Sequence, residues 1–171
     1  RLTYVKNDRY AETNNLYSLW LARHELDEEI LLLECDVLFD VGLLGDLIQS
    51  RFPDMAGVDR FQSTMDGTGI LAEGDMARSM VLKVEQGMDF DYSSALKTVN
   101  IYKLSQTTMC NQLLPLMDRY VARGLVNHFY EAVISELIAR KQLRLSPLLT
   151  GERRWTEIDT EEDLHLAERF F

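Results

Sequence analysis

The stretch Ile30-Leu31-Leu32-Leu33-Glu34-Cys35-Asp36-Val37 constrains this chain more than any other. Four apolar residues run without polar alternation, the pattern of a strand buried on both faces of a parallel sheet. An acidic pair follows, Glu34 and Asp36, and the apolar run then resumes with Val37-Leu38-Phe39. In open α/β sheets the ligand site lies just beyond the carboxyl ends of the strands, where a carboxylate can hold a hard cation. Two readings stand side by side. Either Asp36 helps to hold Mg²⁺ on a nucleoside triphosphate, or the acidic pair merely ends a strand in solvent.

The segments before this run fit a parallel sheet. Leu2-Thr3-Tyr4-Val5 reads as a short strand, and Thr13, Asn14 and Asn15 are all residue types that cap a helix. Leu16, Leu19, Trp20, Arg23 and Leu26 recur at three- and four-residue spacing, so the helix buries one face. Strand, helix, strand predicts a βαβ unit with a right-handed crossover. Because the chain opens on Arg1 directly into that strand, it reads as a piece whose beginning is missing.

Composition narrows the function classes. At 171 residues, 46% of them apolar and 27% charged, residues 1–171 read as one globular domain with a sizeable core. The net charge of −10 argues against general attraction to nucleic acid or an anionic membrane. A nucleotide would have to be held locally, by metal and a few cations. Cys35 and Cys110 form neither a metal-ligand spacing nor a disulfide framework, which suits a reduced, cytoplasmic setting. No apolar run approaches the roughly 20 residues that span a bilayer.

From residue 55 to 84 the character changes. Asp66-Gly67, Thr68-Gly69 and Glu73-Gly74 break short apolar pieces, predicting two or three strands in hairpin connections. Met65-Asp66-Gly67-Thr68 invites comparison with the phosphatase motif D-x-D-G-T. Thr64 stands where the nucleophilic aspartate is needed, so a hairpin turn is the better reading. Lys97-Thr98-Val99-Asn100-Ile101-Tyr102-Lys103 alternates as a strand. Ser105 caps a helix, Pro115 resets it, and Gly124 stops the second run. Residues 129–141 form another helix, residues 143–149 are extended, and residues 155–159 make the last strand. Thr160 and Asp163 then open a terminal helix with a variant of the capping box. The architecture expected is α/β: a mixed, mostly parallel sheet flanked by helices, with a β-hairpin insertion.

Two acidic strand ends stand out, Asp36 and Asp159. If both strands lie centrally in one parallel sheet, their carboxylates meet at one edge. Two carboxylates, phosphate oxygens and waters make the oxygen octahedron Mg²⁺ prefers. Lys97, entering a strand, either reaches a phosphate or is a solvated strand-end residue. His24, His128 and His165 form no cluster and read as surface residues.

Four segments together resemble the nucleotidyltransferase superfamily: Asn7-Asp8-Arg9-Tyr10-Ala11-Glu12-Thr13-Asn14-Asn15-Leu16-Tyr17-Ser18-Leu19, Glu34-Cys35-Asp36-Val37, residues 97–103, and Trp155-Thr156-Glu157-Ile158-Asp159-Thr160. Within it they are most similar to the cytidylyltransferases for phosphocholine, 2-aminoethylphosphonate and inositol 1-phosphate. The resemblance covers nearly the whole chain, in order. It implies a Rossmann-like domain that couples CTP to a small phosphorylated or phosphonylated alcohol or amine and releases pyrophosphate. The family's Mg²⁺ aspartates fall on Asp36, where Cys35 replaces the glycine of G-D-V, and on Asp159 of E-I-D. Lys97 is the catalytic candidate, on the reading in which it reaches the substrate phosphate or the nucleotide α-phosphate. Asn14 and Asn15 cap the helix, orient the pyrimidine or substrate, or do both. Tyr130, Glu131 and Glu157 match most nearly the acidic and aromatic group that receives a quaternary ammonium in the choline-type enzymes, although Tyr130 and Glu131 are also ordinary residues for a helix start. Fusion to, or association with, another enzyme domain is a further expectation.

One family feature is absent from these residues. The superfamily opens with a strand and a loop, G-x-G-x-R followed by lysine, whose amides wrap the triphosphate. Gly67-x-Gly69 sits in the hairpin region without basic residues at the right offsets. The domain is therefore expected to lack its first strand and nucleotide-binding loop, and these 171 residues alone to be inactive. Alternatives are a sugar-1-phosphate nucleotidyltransferase and a catalytically silent binding module of the same fold.

Overall fold

The computed structural model describes residues 2–171. Its chain order begins with helix α1 (Asn15–Leu21), strands β1 (Ile30–Leu33) and β2 (Val37–Phe39), helix α2 (Gly42–Gln49) and strand β3 (Met55–Arg60). The hairpin β4 (Gly69–Glu73) and β5 (Met76–Val81) follows, turning at Gly74 with φ 58°, and then the long strand β6 (Leu96–Leu104). Helices α3 (Gln106–Thr108), α4 (Leu114–Ala122) and α5 (Tyr130–Ala139) come next, then strands β7 (Ser146–Leu149) and β8 (Trp155–Glu157) and helix α6 (Glu161–Phe170).

β6 organises the main sheet. Along one side it pairs antiparallel with β3 over its full length, from Met55 opposite Lys103 to Arg60 opposite Leu96. Its other side is shared: β1 takes residues 101–104 and β4 takes residues 96–97. Between those two partners β6 is irregular. Asn100 sits at φ 58°, the left-handed region an asparagine tolerates better than most residues, and β3 carries a bulge between Ala56 and Val58. The gap between β1 and β4 is where the polar side chains of the candidate site gather.

Alternation along β6 separates two cores. Tyr102 and Leu104 face α1, α4 and α5, packing with Leu16, Met109, Leu113, Met117, Val133, Ile134 and Leu137. Val99 and Ile101 face the opposite side with Leu43 and Leu47 of α2. Each fully buried aliphatic side chain contributes about 1.5–3 kcal/mol. The helical run after Ser105 contains one π-turn, Met109–Leu113, which ends two residues before Pro115. A proline there lacks the N–H of the ladder and crowds the carbonyl four residues back, and the widened turn makes room for it. Gly124, at φ 74°, ends α4, and Thr160 and Asp163 form the reciprocal cap of α6. No described helix is long and apolar enough to cross a membrane.

The α/β class, the flanking helices and the hairpin agree with expectation, but the mostly parallel sheet does not. Only β3 and β7 run parallel; every other pair in the main sheet is antiparallel. Residues 2–5 are not a strand, and Leu2 and Tyr4 are exposed. A strand needs a neighbouring backbone, and among the described residues none pairs with this segment. The βαβ unit is therefore absent. The apolar run of β1 is not sealed on both faces either; Leu33 is 39% exposed, as suits a strand paired on one edge with β6. The segment carrying Glu157 and Asp159 also lies outside the main sheet, because β8 pairs with β2 in a separate two-stranded ribbon.

Candidate active site

Glu34, one residue past β1, is the hub of the polar network. Its Oε1 accepts from the Asn15 side-chain amide at 3.1 Å and from the Tyr130 hydroxyl at 2.9 Å; its Oε2 accepts from the Asn100 amide at 3.0 Å. Burial raises the Glu34 pKa, the Tyr130 hydrogen bond opposes that rise, and neighbouring Asp36 and Glu157 reinforce it. Asn15 has a second duty. Its Oδ1 accepts from the backbone N–H of Tyr130 at 2.9 Å, satisfying a donor of the first turn of α5. Asn14 acts locally instead: its side chain accepts from the N–H of Asn15 and caps α1.

Asn100 joins this hub to Lys97. Its amide also donates to Glu157 Oε1 at 3.2 Å, and its Oδ1 accepts from the Thr98 hydroxyl at 2.9 Å. Lys97 is not a solvated strand end but 1% exposed, its ammonium donating to Glu157 Oε1 at 2.9 Å and to the Thr98 carbonyl at 2.7 Å. The Trp155 ring lies 5.6 Å from that ammonium. Gly67 permits this placement, because at φ 115° a Cβ there would stand 2.7 Å from the Lys97 Cε and Nζ. Glu157 Oε1 is accordingly engaged by both Lys97, whose charge the carboxylate neutralises, and Asn100.

Glu131, on the first turn of α5, is 6% exposed, and its Oε2 is buried without a hydrogen-bond partner. Burial pushes its pKa up to about 7, with nearby Glu34 adding to the rise. Tyr130 does not present its ring to a ligand. The ring is 3% exposed and packs edge-on against the fully buried Tyr102, leaving the hydroxyl to orient Glu34. The aromatic face available here belongs to Phe129, 46% exposed.

Asp36 and Asp159 are tied through the backbone. The N–H of Ile158 donates to the Asp36 carbonyl at 2.8 Å, continuing the β2–β8 ladder in which Val37 faces Glu157. Their side chains line different cavities. Asp159 borders one of about 570 Å³ together with Lys97, Trp155 and Glu157, and Asp36 borders one of about 540 Å³ together with Glu34, Leu33 and Phe129. Among the described residues no three His, Cys, Asp or Glu side chains cluster as metal ligands. A Mg²⁺ carried by a triphosphate needs fewer, since phosphate oxygens and waters fill most of its shell. The buried Asp36 Oδ1, which has no partner, fits that use.

Glu34, Asn100 and Phe129 were not among the residues singled out from the sequence. Glu34 stood beside Asp36 in the acidic pair, and an asparagine inside an alternating strand is itself a sign of an irregular position.

No family model matches the chain. It is 28% identical over 169 residues to the CMP-5'-(3-aminopropyl)phosphonate synthase of Streptomyces rubellomurinus; the match takes in 98% of this chain and 27% of that protein, so the chain spans about a quarter of the length of this curated relative. Among solved structures it is similar to the CTP:phosphocholine cytidylyltransferase of Streptococcus pneumoniae, with a TM-score of 0.70 and 18% identity over 96% of this chain and 66% of that one. The inositol-1-phosphate CTP transferase of T. maritima gives a TM-score of 0.68 and 18% identity over 92% of this chain and 60% of that one. The resemblance to the nucleotidyltransferase superfamily and its cytidylyltransferases is thus borne out, and the fold of this chain is the nucleotidyltransferase fold.

Proposed function

We propose that the chain transfers a cytidylyl group from CTP to a small phosphonylated or phosphorylated amine. The acceptor's phosphonate or phosphate oxygen bonds to the α-phosphorus of CTP, the bond between the α-phosphorus and its bridge to the β-phosphate breaks, and pyrophosphate leaves. Asp36 and Asp159 would hold Mg²⁺, which when bound supplies positive charge to the triphosphate. The single observation carrying the reading is the buried Lys97–Glu157 ion pair at 2.9 Å, two residues from Asp159, at the gap between β1 and β4 of a nucleotidyltransferase fold.

Each residue has a physical task. Lys97 offers an ammonium, held in one orientation by Glu157 and the Thr98 carbonyl, to an approaching phosphonate or α-phosphate oxygen. Asn100 links the carboxylates of Glu34 and Glu157, so that the acceptor end and the phosphate end of the site move together. Glu34 and Glu131 give the acceptor end a negative character suited to an amine and unsuited to the neutral hydroxyls of a sugar 1-phosphate. The free thiols of Cys35 and Cys110 suit a cytoplasmic enzyme.

The test is CTP- and Mg²⁺-dependent release of pyrophosphate by the full-length protein carrying this chain, with 2-aminoethylphosphonate as acceptor. Activity that needs both substrates and falls at least about tenfold in Asp159→Asn supports the reading. Use of glucose 1-phosphate in preference to the amine, or full activity in Asp159→Asn, contradicts it.

A further inference from the structure

A cavity of about 580 Å³ lies at the end of β6 away from Lys97, between the segment before β3, the start of β5, the helical run after Ser105 and the segment after α5. A volume of this size suits a small molecule. None of the candidate active-site residues borders it. Lys97 stands near the start of β6 and Ser105 follows its end, so at about 3.3 Å per residue the two are roughly 25 Å apart.

Two opposite charges border this cavity without meeting. Asp54 is 6% exposed; its Oδ1 accepts from the N–H of Ser105 at 2.8 Å, which leaves Oδ2 for the cavity. Arg144 is exposed. Among the described residues neither takes part in an ion pair, with the other or with any third group. Gln112 adds a neutral acceptor. It stands in the π-turn, a form of turn frequent at functional sites, and its buried Oε1 accepts from no group in the protein. A buried acceptor without a donor costs free energy that an arriving N–H removes. Half-buried Phe52 and Met76 give the same cavity an apolar wall.

These groups select among ligands. A water molecule donates to Gln112 yet matches neither charge. A simple anion answers Arg144 and is repelled by Asp54, and a simple cation meets the reverse. A ligand that answers every group carries an ammonium, an oxyanion and an apolar branch close together, which is the composition of an α-amino acid. Its ammonium brings three donors, and its carboxylate matches the planar fork of a guanidinium.

We propose that this cavity binds a small α-amino acid with an apolar side chain, its ammonium on Asp54 and Gln112, its carboxylate on Arg144 and its side chain against Phe52 and Met76. The inference is independent of the transferase reading, because no substrate of that reaction enters it.

The test is calorimetric titration of the full-length protein with L-leucine, leucinamide, 4-methylpentanoate and glycine, repeated on Arg144→Gln and Asp54→Asn. Leucinamide lacks the carboxylate, 4-methylpentanoate the ammonium and glycine the apolar branch, and each should bind at least tenfold more weakly than leucine. Arg144→Gln should weaken leucine at least tenfold and leave leucinamide unchanged. Asp54→Asn should weaken leucine at least tenfold and leave 4-methylpentanoate no weaker. Arg144 has no ion pair to lose, so its variant keeps the melting temperature of the wild type and decides the matter even where Asp54→Asn fails to fold. Absence of leucine binding by the wild type overturns the proposal, as does leucinamide binding as tightly as leucine or a leucine affinity indifferent to Arg144→Gln.

Discussion

The two ends of the candidate site are built differently. The acceptor end draws Asn15, Glu34, Asn100, Tyr130 and Glu131 from α1, β1, β6 and α5, and every hydrogen-bonded member is anchored in the main sheet or in a helix packed on it. The phosphate end takes Asp36 and Asp159 from the β2–β8 ribbon, only three residue pairs long. A two-stranded ribbon is marginal by itself. This one is fastened to the sheet by the Trp155 indole, which donates to Asp59 at 2.7 Å, and by the Lys97–Glu157 pair. The contrast teaches that the proposed acceptor end is preorganised, whereas the carboxylates assigned to the metal sit on the less supported element and would gain most from a bound ligand.

The largest effect expected from breaking this arrangement comes at the joint between the two ends. Lys97→Ala removes the cation that fastens β8 and leaves Glu157 without its partner, so unfolding in urea should show a loss of roughly 3 kcal/mol, below the full range for a pair buried on both sides because Glu157 is partly exposed. A loss below about 1 kcal/mol would mean that the ribbon is held without it.

Glu131 offers a comparison by pH. Its folded pKa of about 7 lies above the ordinary 4.5, so the folded chain holds this proton where the unfolded chain has released it. Stability should therefore fall as pH rises from about 4.5 to about 7 and level off above, by up to roughly 3 kcal/mol. Glu131→Gln should flatten that slope, and an unchanged slope would assign it to other groups. Tyr130→Phe is expected to do less: it deletes the hydrogen bond to Glu34 and leaves the ring in place, costing about 1–2 kcal/mol by thermal or urea unfolding. Thr160→Ala, which lies outside the lining of the cavity beside Glu34 and Glu131, should cost about 1 kcal/mol through the cap of α6 and leave acceptor binding untouched.

Much of this was legible in the residues, for reasons that also mark the limit. The hairpin turns, the Ser105 and Thr160 caps, the Gly124 stop and the helical faces are local, and local chemistry dictates them. Strand direction is not local. The run at residues 30–33 reads as buried and parallel because of its composition, yet its neighbour is β6, some 70 residues later, running the other way. For the same reason Lys97 and Glu157 could be named separately while their ion pair could not. Glu157 read as a free carboxylate because nothing near it in sequence reveals the lysine 60 residues earlier. The ring of Tyr130 read as a ligand surface because a helix start is usually exposed, whereas Tyr102 lies across from it and closes the core.

The central claim is that Asp36 and Asp159, which border different cavities but meet at the Ile158 N–H to Asp36 carbonyl hydrogen bond, act on one metal. A double-mutant cycle on pyrophosphate release tests it most directly: wild type, Asp36→Asn, Asp159→Asn and the double variant of the full-length protein, at saturating CTP and 2-aminoethylphosphonate. Residues that hold a single ion act as a unit, so the double variant should be little slower than the slower single one. Two losses that simply multiply would show two independent roles and contradict the shared site.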